Sequence, residues 1–294
     1  MRSATPVGVV IATRDRRERV LATLARVTAL RDRPPVVLVD DGSADGTAQA
    51  VAQRFPGVDV VRLADGRGAA ARNVGAERLS TPYVAFLDDD SWWAPGALTR
   101  AAGVLDDDPR LAVLAARVLV GEEERLDPTC ADMARTPLPG GAVLGFVACG
   151  AVVRRSAFLA VGGFDERYGI GGEEALLAVR LAAAGWELRY VPDVVAHHHP
   201  DPSANRRGRD ARALRNDLWT TWSYLPLGQA AGATARLLRA SGARRSTLAG
   251  ALAALRGLSW ILRERRPAPP ALAAQLRLLE RQGAAGPHPA SDGA

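Results

Sequence analysis

Three consecutive aspartates, Asp88, Asp89 and Asp90, stand directly after an apolar run at residues 83–87. Clustered hard carboxylates at a strand end suit Mg²⁺ or Mn²⁺ when the ion is held chiefly by substrate phosphates. Asp106, Asp107 and Asp108, before Pro109, make a second acidic run that reads as a solvated turn; burial of the preceding strand is what separates the two cases. Another carboxylate pair opens the stretch Asp40-Asp41-Gly42-Ser43, where the aspartates can accept from a base or ribose while Asp45 and Thr47 cap the next helix. Read as an EF-hand the stretch fails, because Ala52 stands where a glutamate is needed. Glu173 and Glu174 open a later helix, either complementing its N-terminus or offering a general base. Three histidines, His197, His198 and His199, follow a further strand; imidazole suits Mn²⁺, and a solvent-exposed run is the other reading. Gly66-x-Gly68-x-x-Ala71 imitates a dinucleotide fingerprint, but it follows the third strand rather than the first and faces three aspartates that would repel a pyrophosphate without a cation.

The elements that must position these residues alternate. Apolar runs at 7–12, 36–40, 58–63 and 83–87 are separated by amphipathic segments at 16–30, 45–54 and 68–79. Strands apolar on both faces are covered by helices on either side, so the pattern predicts a mostly parallel open sheet of α/β class. Ligands bind at the carboxyl edge of such sheets, which is where Asp40 and Asp88 fall. A helix from about residue 95 and strands at 111–120 and 144–153 are expected next. Residues 121–141 read as an irregular loop over the site. A helix at 173–185 and a strand at 187–191 lead to the histidines. From about residue 212 the sequence becomes Ala/Leu/Arg-rich helix broken by Pro226, Gly228 and Gly242, and the tail from 284 is read as disordered. The division is a domain over 1–210, a helical region over 211–283 and a tail over 284–294.

Composition excludes several classes. With 294 residues, 48% hydrophobic and 24% charged, the chain can bury a core without staples and is not disordered wholesale. The net charge of +6 comes entirely from arginine over acid, since there is no lysine. Arginine suits phosphates, but the charge alone gives no case for nucleic acid. Cys130 and Cys149 lack CxxC spacing, no stretch reaches the roughly 18 apolar residues of a membrane span, and no signal-peptide pattern precedes the first strand. The expected setting is cytoplasmic, extending to the inner face of the cell membrane.

Over residues 5 to 200 the chain resembles the family 2 glycosyltransferases of the GT-A fold. Six pieces carry the resemblance, in order: Val9-Val10-Ile11-Ala12-Thr13-Arg14, Val39-Asp40-Asp41-Gly42-Ser43, Ala71-Arg72-Asn73-Val74-Gly75, Phe86-Leu87-Asp88-Asp89-Asp90, Gly162-Gly163-Phe164-Asp165-Glu166 and Gly172-Glu173-Glu174. The resemblance implies an inverting transferase that moves a sugar from a nucleotide-diphosphate donor to an acceptor hydroxyl. It implies that Thr13, Arg14, Asp40 and Asp41 hold the nucleoside, that Arg72 lies near the base, and that Asp88, Asp89 and Asp90 are the DxD run binding diphosphate and Mn²⁺ or Mg²⁺. Gly163, Phe164 and Asp165 then shape the acceptor side, and His198 or His199 completes the metal site. The family has a Glu-Asp pair where this chain has Glu173-Glu174, so the base falls to Glu174.

A nucleotide-sugar-binding protein without turnover is the rival from another class. A nucleotidyltransferase is a third reading, disfavoured because residues 13–17 lack a glycine-rich phosphate loop. Trp219, Trp222, Tyr224 and Trp260, among leucines and the arginines 263, 265 and 266, suggest a C-terminal region that meets a membrane interface; packing on the catalytic domain or in a homodimer is the ordinary alternative.

Overall fold

The computed structural model describes residues 5–136, 138–201 and 208–285. Nine strands form one sheet: β1 (Val7–Thr13), β2 (Val36–Asp40), β3 (Asp59–Arg62), β4 (Tyr83–Leu87), β5 (Ser91–Trp93), β6 (Leu111–Val120), β7 (Arg125–Leu126), β8 (Ala151–Arg154) and β9 (Glu187–His198). Their order is β3-β2-β1-β4-β8-β6-β9-β5, with β7 on the edge of β6. Strands β1 to β4 run parallel, as do β6 and β9, while β8 is antiparallel to both of its neighbours. The mostly parallel sheet expected from the buried runs is therefore present, with β8 inserted in reverse.

Helices α1 (Arg17–Thr28), α2 (Thr47–Arg54), α3 (Ala71–Arg78) and α4 (Ala97–Asp107) follow β1, β2, β3 and β5. Side chains of β1 alternate between two buried clusters, Val10 joining Phe86 and Phe158 on one face and Val9 and Ile11 joining Leu24 and Leu98 on the other. This two-sided burial is why β1, β2 and β4 read as unbroken apolar runs. Chain order reverses outward from β1, so its carboxyl end, with those of β2 and β4, borders the crevice where ligands enter such sheets.

Several elements depart from the sequence expectations. Residues 121–141 are not a loop over the site: they hold β7 and α5 (Pro128–Ala134), which bury Cys130 and Met133 in the core. The strand expected at 144–153 is confined to Ala151–Arg154, and α6 (Arg155–Ala160) follows it. β9 extends to His198, so two of the histidines belong to the strand rather than to a segment beyond it.

After α7 (Glu173–Ala183) and β9, the described residues continue as α8 (Arg209–Tyr224), α9 (Leu227–Ser241), α10 (Arg245–Arg256), α11 (Leu258–Glu264) and α12 (Pro270–Ala285). The last helix passes the expected boundary at 283, and residues 286–294 of the expected disordered tail lie outside the described residues. Trp219, Tyr224, Ile261 and Leu272 share a core with Tyr168, Leu176 and Val179, so the C-terminal helices pack on α7. Among the described residues no helix is long and apolar enough to cross a membrane.

Candidate active site

The register of β1 on its neighbours pairs Thr13 with Asp40 and Ile11 with Leu87, which brings Thr13 level with the aspartate run. Thr13 Oγ1 donates to Asp89 Oδ2 at 2.8 Å, and Thr23 Oγ1 donates to the Asp89 carbonyl at 2.7 Å. Burial raises the Asp89 carboxyl to about 6, against the Thr13 hydrogen bond and the Arg16 charge. Asp88 meets Arg72, and Asp90 lies 3.3 Å from both Arg16 Nη1 and His198 Nε2. The three adjacent carboxylates all border the cleft but take different surroundings: Asp89 is held by Thr13 as well as Arg16, Asp88 meets Arg72, and Asp90 meets Arg16 and His198.

The short antiparallel pairing of β5 with β9 carries His198 there, Ser91 standing opposite it. Alternation along β9 sends His197 and His199 the other way, onto Trp92, at ring separations of 5.3 and 4.7 Å. Of the two histidines expected at a metal, His198 approaches the aspartates and His199 does not. Oxygen, nitrogen and sulfur atoms of Asp88, His198 and Cys149 lie within 4.8 Å of one another. Burial holds the Cys149 thiol well above its usual range. The carboxylate and imidazole beside it are donors that fit Mn²⁺. Burial disfavours charge on His198, but the Asp90 hydrogen bond and the charge of Asp88 outweigh it and raise the imidazole.

The cleft has a volume of about 380 Å³ and is bordered by Thr13, Arg14, Asp41, Arg72 and the three aspartates. Asp40 does not line it: the side chain is buried and accepts from Ser43 N at 2.8 Å, closing the turn after β2. Asp41 accepts from the backbone of Arg67 and Gly68 at 2.7 and 2.9 Å, so it anchors the loop after β3 at the cleft wall. Gly163, Phe164 and Asp165, expected on the acceptor side, make structural contacts. Asn73 brackets the Phe164 backbone at 2.8 and 2.9 Å, the Phe164 ring is buried against Phe86 and Phe158, and Asp165 is clasped by Arg167 and Arg180.

Glu173 and Glu174 begin α7 after Gly172, whose φ of +86° turns the chain into the helix. Glu173 is buried and accepts from Gly171 N, whereas Glu174 is half-buried, within electrostatic reach of Arg72 and Asp88. Burial, then the neighbouring Glu173 charge, push the Glu174 carboxyl well above the usual range. A carboxylate so raised can accept a proton near neutral pH.

Arg16, Asp201 and Arg212 also line the cleft and were not anticipated. Arg16 carried a signal, lying two residues beyond Arg14; the other two depend on how β9 and α8 return to the sheet edge. Behind α8 a larger, apolar cavity of about 620 Å³ opens beside Ala175, Val179, Tyr224 and Leu237, with Asp217 in its wall. Its volume does not make it the reacting site, because the clustered carboxylates are in the other cleft; burial alone raises Asp217 to about 6.

The sequence matches the glycosyl transferase family 2 over residues 8–162. An N-acetylglucosaminyl-diphospho-decaprenol L-rhamnosyltransferase of Mycobacterium tuberculosis is 33% identical over 233 residues, covering 66% of this chain and 74% of that protein. A pre-mycofactocin glycosyltransferase of the same species is 34% identical over 210 residues, 66% of this chain and 43% of the relative. Among solved structures, S. aureus TarS 1–349 in complex with UDP-GlcNAc aligns with a TM-score of 0.62 at 16% identity, covering 88% of this chain and 81% of that one. A mannosyltransferase from Pyrobaculum calidifontis in complex with GDP-Man and Mn²⁺ gives 0.58 at 20%, covering 96% and 88%. At these identities the structures speak for the fold, which is GT-A.

Proposed function

The chain belongs to glycosyl transferase family 2, and we propose that it moves a sugar from a nucleotide-diphosphate donor to an acceptor hydroxyl with inversion, Glu174 serving as base. The observation that carries this reading is the convergence of Asp88, Asp90 and His198 in one cleft whose lining also includes Thr13, Arg14 and Asp41. The nucleoside lies against those last three residues and the diphosphate reaches the aspartates. Asp88, Asp90 and His198 would hold the Mn²⁺ or Mg²⁺; when bound, the ion neutralises charge on the leaving diphosphate. Arg72 and Arg16 hold the aspartates in place and add positive charge beside the same phosphates.

Glu174 takes the proton of the acceptor hydroxyl as its oxygen attacks the face opposite the diphosphate. No covalent intermediate is needed, because one carboxylate suffices when acceptor and leaving group lie on opposite sides of the sugar. The acceptor is read as lipid-linked, supported by the diphospho-decaprenol named for the rhamnosyltransferase relative and by the apolar cavity that begins at Ala175, next to the base.

Calorimetric titration of UDP, GDP and dTDP with Mn²⁺, and again with EDTA, tests the donor half. One nucleotide should bind only with the cation, and an Asp88→Ala/Asp90→Ala variant should lose it. Glu174→Gln should keep that binding while turnover falls by at least about a hundredfold, the lower range for loss of a positioned base. Full turnover in Glu174→Gln removes it as base, and absence of binding by every nucleotide removes the donor site.

A further inference from the structure

Helices α10 and α11 carry an apolar ridge on the side facing away from α8. Helices α10 and α11 meet at Gly257 and rest on α8 through two glycines. A Cβ at Gly250 would stand 2.7 Å from the Ala211 carbonyl oxygen, and one at Gly257 would stand 2.4 Å from Trp219 Nε1. Trp219 Nε1 also donates to the Ala254 carbonyl at 3.0 Å, and Ile261 is buried on the same side. The inward face is therefore fixed. With roughly 100° between successive residues, Leu248, Leu252, Leu255 and Leu262 fall near one line on the opposite face. They are 64%, 53%, 64% and 55% exposed, and Leu258 stands beside them. Isolated exposed leucines are ordinary, whereas a row of them along two helices marks an interaction surface.

Charge identifies the partner. From Leu218 to Arg263 the sequence has no aspartate or glutamate but six arginines, at 236, 239, 244, 245, 256 and 263. Arg245, Arg256 and Arg263 recur at helical spacing along one flank of the leucines. The tryptophans that suggested membrane contact from sequence point inward: Trp219 and Trp260 meet edge to face at 5.3 Å, and Trp222 donates to Thr234. The leucines take the place the aromatics were expected to fill. A second copy of the chain docked with its helices antiparallel would set this arginine row against an identical one, and Glu264, the nearest acid in sequence, is engaged by Arg167. An anionic bilayer supplies both things the face lacks, an apolar layer for the leucines and phosphates for the arginines.

We propose that the α10–α11 face docks on an anionic lipid surface, with Leu248, Leu252, Leu255 and Leu262 entering the headgroup boundary and Arg245, Arg256 and Arg263 meeting lipid phosphates. The proposal goes beyond the transferase reading and is tested without donor or acceptor. The full chain is sedimented with phosphatidylcholine vesicles, with and without phosphatidylglycerol. Binding should appear only with the anionic lipid and weaken as salt rises. Leu252→Ser/Leu255→Ser/Leu262→Ser should reduce it by at least about tenfold, and Arg245→Gln/Arg256→Gln/Arg263→Gln by on the order of tenfold to a hundredfold. Thermal melting and nucleotide titration on the same samples show whether the variants keep the fold. No sedimentation with anionic vesicles overturns the proposal, as does leucine-variant binding equal to the parent's. Light scattering that shows a dimer, dissolved by the leucine substitutions in a chain that ignores vesicles, assigns the face to a second copy. Vesicle binding without nucleotide binding leaves this surface standing and removes the transferase reading instead.

Discussion

Glu174 and Glu173 are adjacent carboxylates with different surroundings, and that difference makes the acid side of the rate profile a test of their roles. Glu174 must be ionised to accept a proton, so activity should rise with pH through a midpoint above the ordinary carboxylate range. Glu173→Gln keeps an oxygen for Gly171 N but removes the charge that pushes Glu174 upward. Its acid limb should therefore move to lower pH in kcat/KM profiles, whereas an unmoved limb would assign the titration to another group. At this scale the sequence was informative where adjacency alone carried meaning. Three aspartates after a buried strand and two glutamates opening a helix are visible as runs. Choosing His198 over His199 needed the pairing of Ser91 with His198, a partner more than a hundred residues away. Asp40 looked like a ligand because a strand-end carboxylate that closes its own turn has the same local sequence as one that waits for a ribose.

Among the elements, the segment between α6 and α7 gives Asp165 a structural role. Its carboxylate lies 2.7 Å from Arg167 and 2.6 Å from Arg180 on α7, and Arg167 continues to Glu264 on α11 at 3.0 Å. One acid thus ties the helix bearing Glu174 to the C-terminal helices. Burial would raise the Asp165 carboxyl, but the arginine hydrogen bonds and charges prevail and hold it at about 2, below the usual carboxylate range. The folded chain therefore binds this proton less readily than the unfolded chain. The resulting stabilisation, about 2 kcal/mol, is complete above the unfolded value and is lost as pH falls from about 4 towards 2. Asp165→Asn should cost about 2 kcal/mol near neutral pH, the whole of that contribution, and should flatten the acid dependence over that window. Denaturant unfolding at several pH values checks both effects, while nucleotide binding should persist because Asp165 does not line the cleft. Element boundaries were legible where strands were buried on both faces. β5, α5 and α6 were missed because three to seven residues carry too little periodicity to separate a short element from a loop.

For the whole molecule, the change to Ala/Leu/Arg-rich helix suggested a boundary near residue 210, yet the packing crosses it. Tyr168, Leu176 and Val179 share one core with Trp219, Ile261 and Leu272. Asn216, fully buried, donates to the Tyr168 carbonyl at 3.0 Å, and Arg215 donates to the same oxygen at 2.8 Å. A chain stopped at 210 would leave that carbonyl and the outer face of α7 to water. Glu173 and Glu174 start that helix, so losing its cover should loosen the proposed base as well as the fold. Composition marks where the architecture changes but carries no trace of which surfaces meet, because the α7 face and the α8 face each read as ordinary amphipathic helix. We propose that residues 1–210 and the helices after them are one cooperative unit. Calorimetry of the full chain should then give a single transition whose van't Hoff and calorimetric enthalpies agree. The 1–210 fragment should bind a dye for exposed apolar surface and melt without a sharp transition. Two resolved transitions in the full chain, or a fragment that melts cooperatively and still binds nucleotide, would instead establish the boundary as one between independent domains.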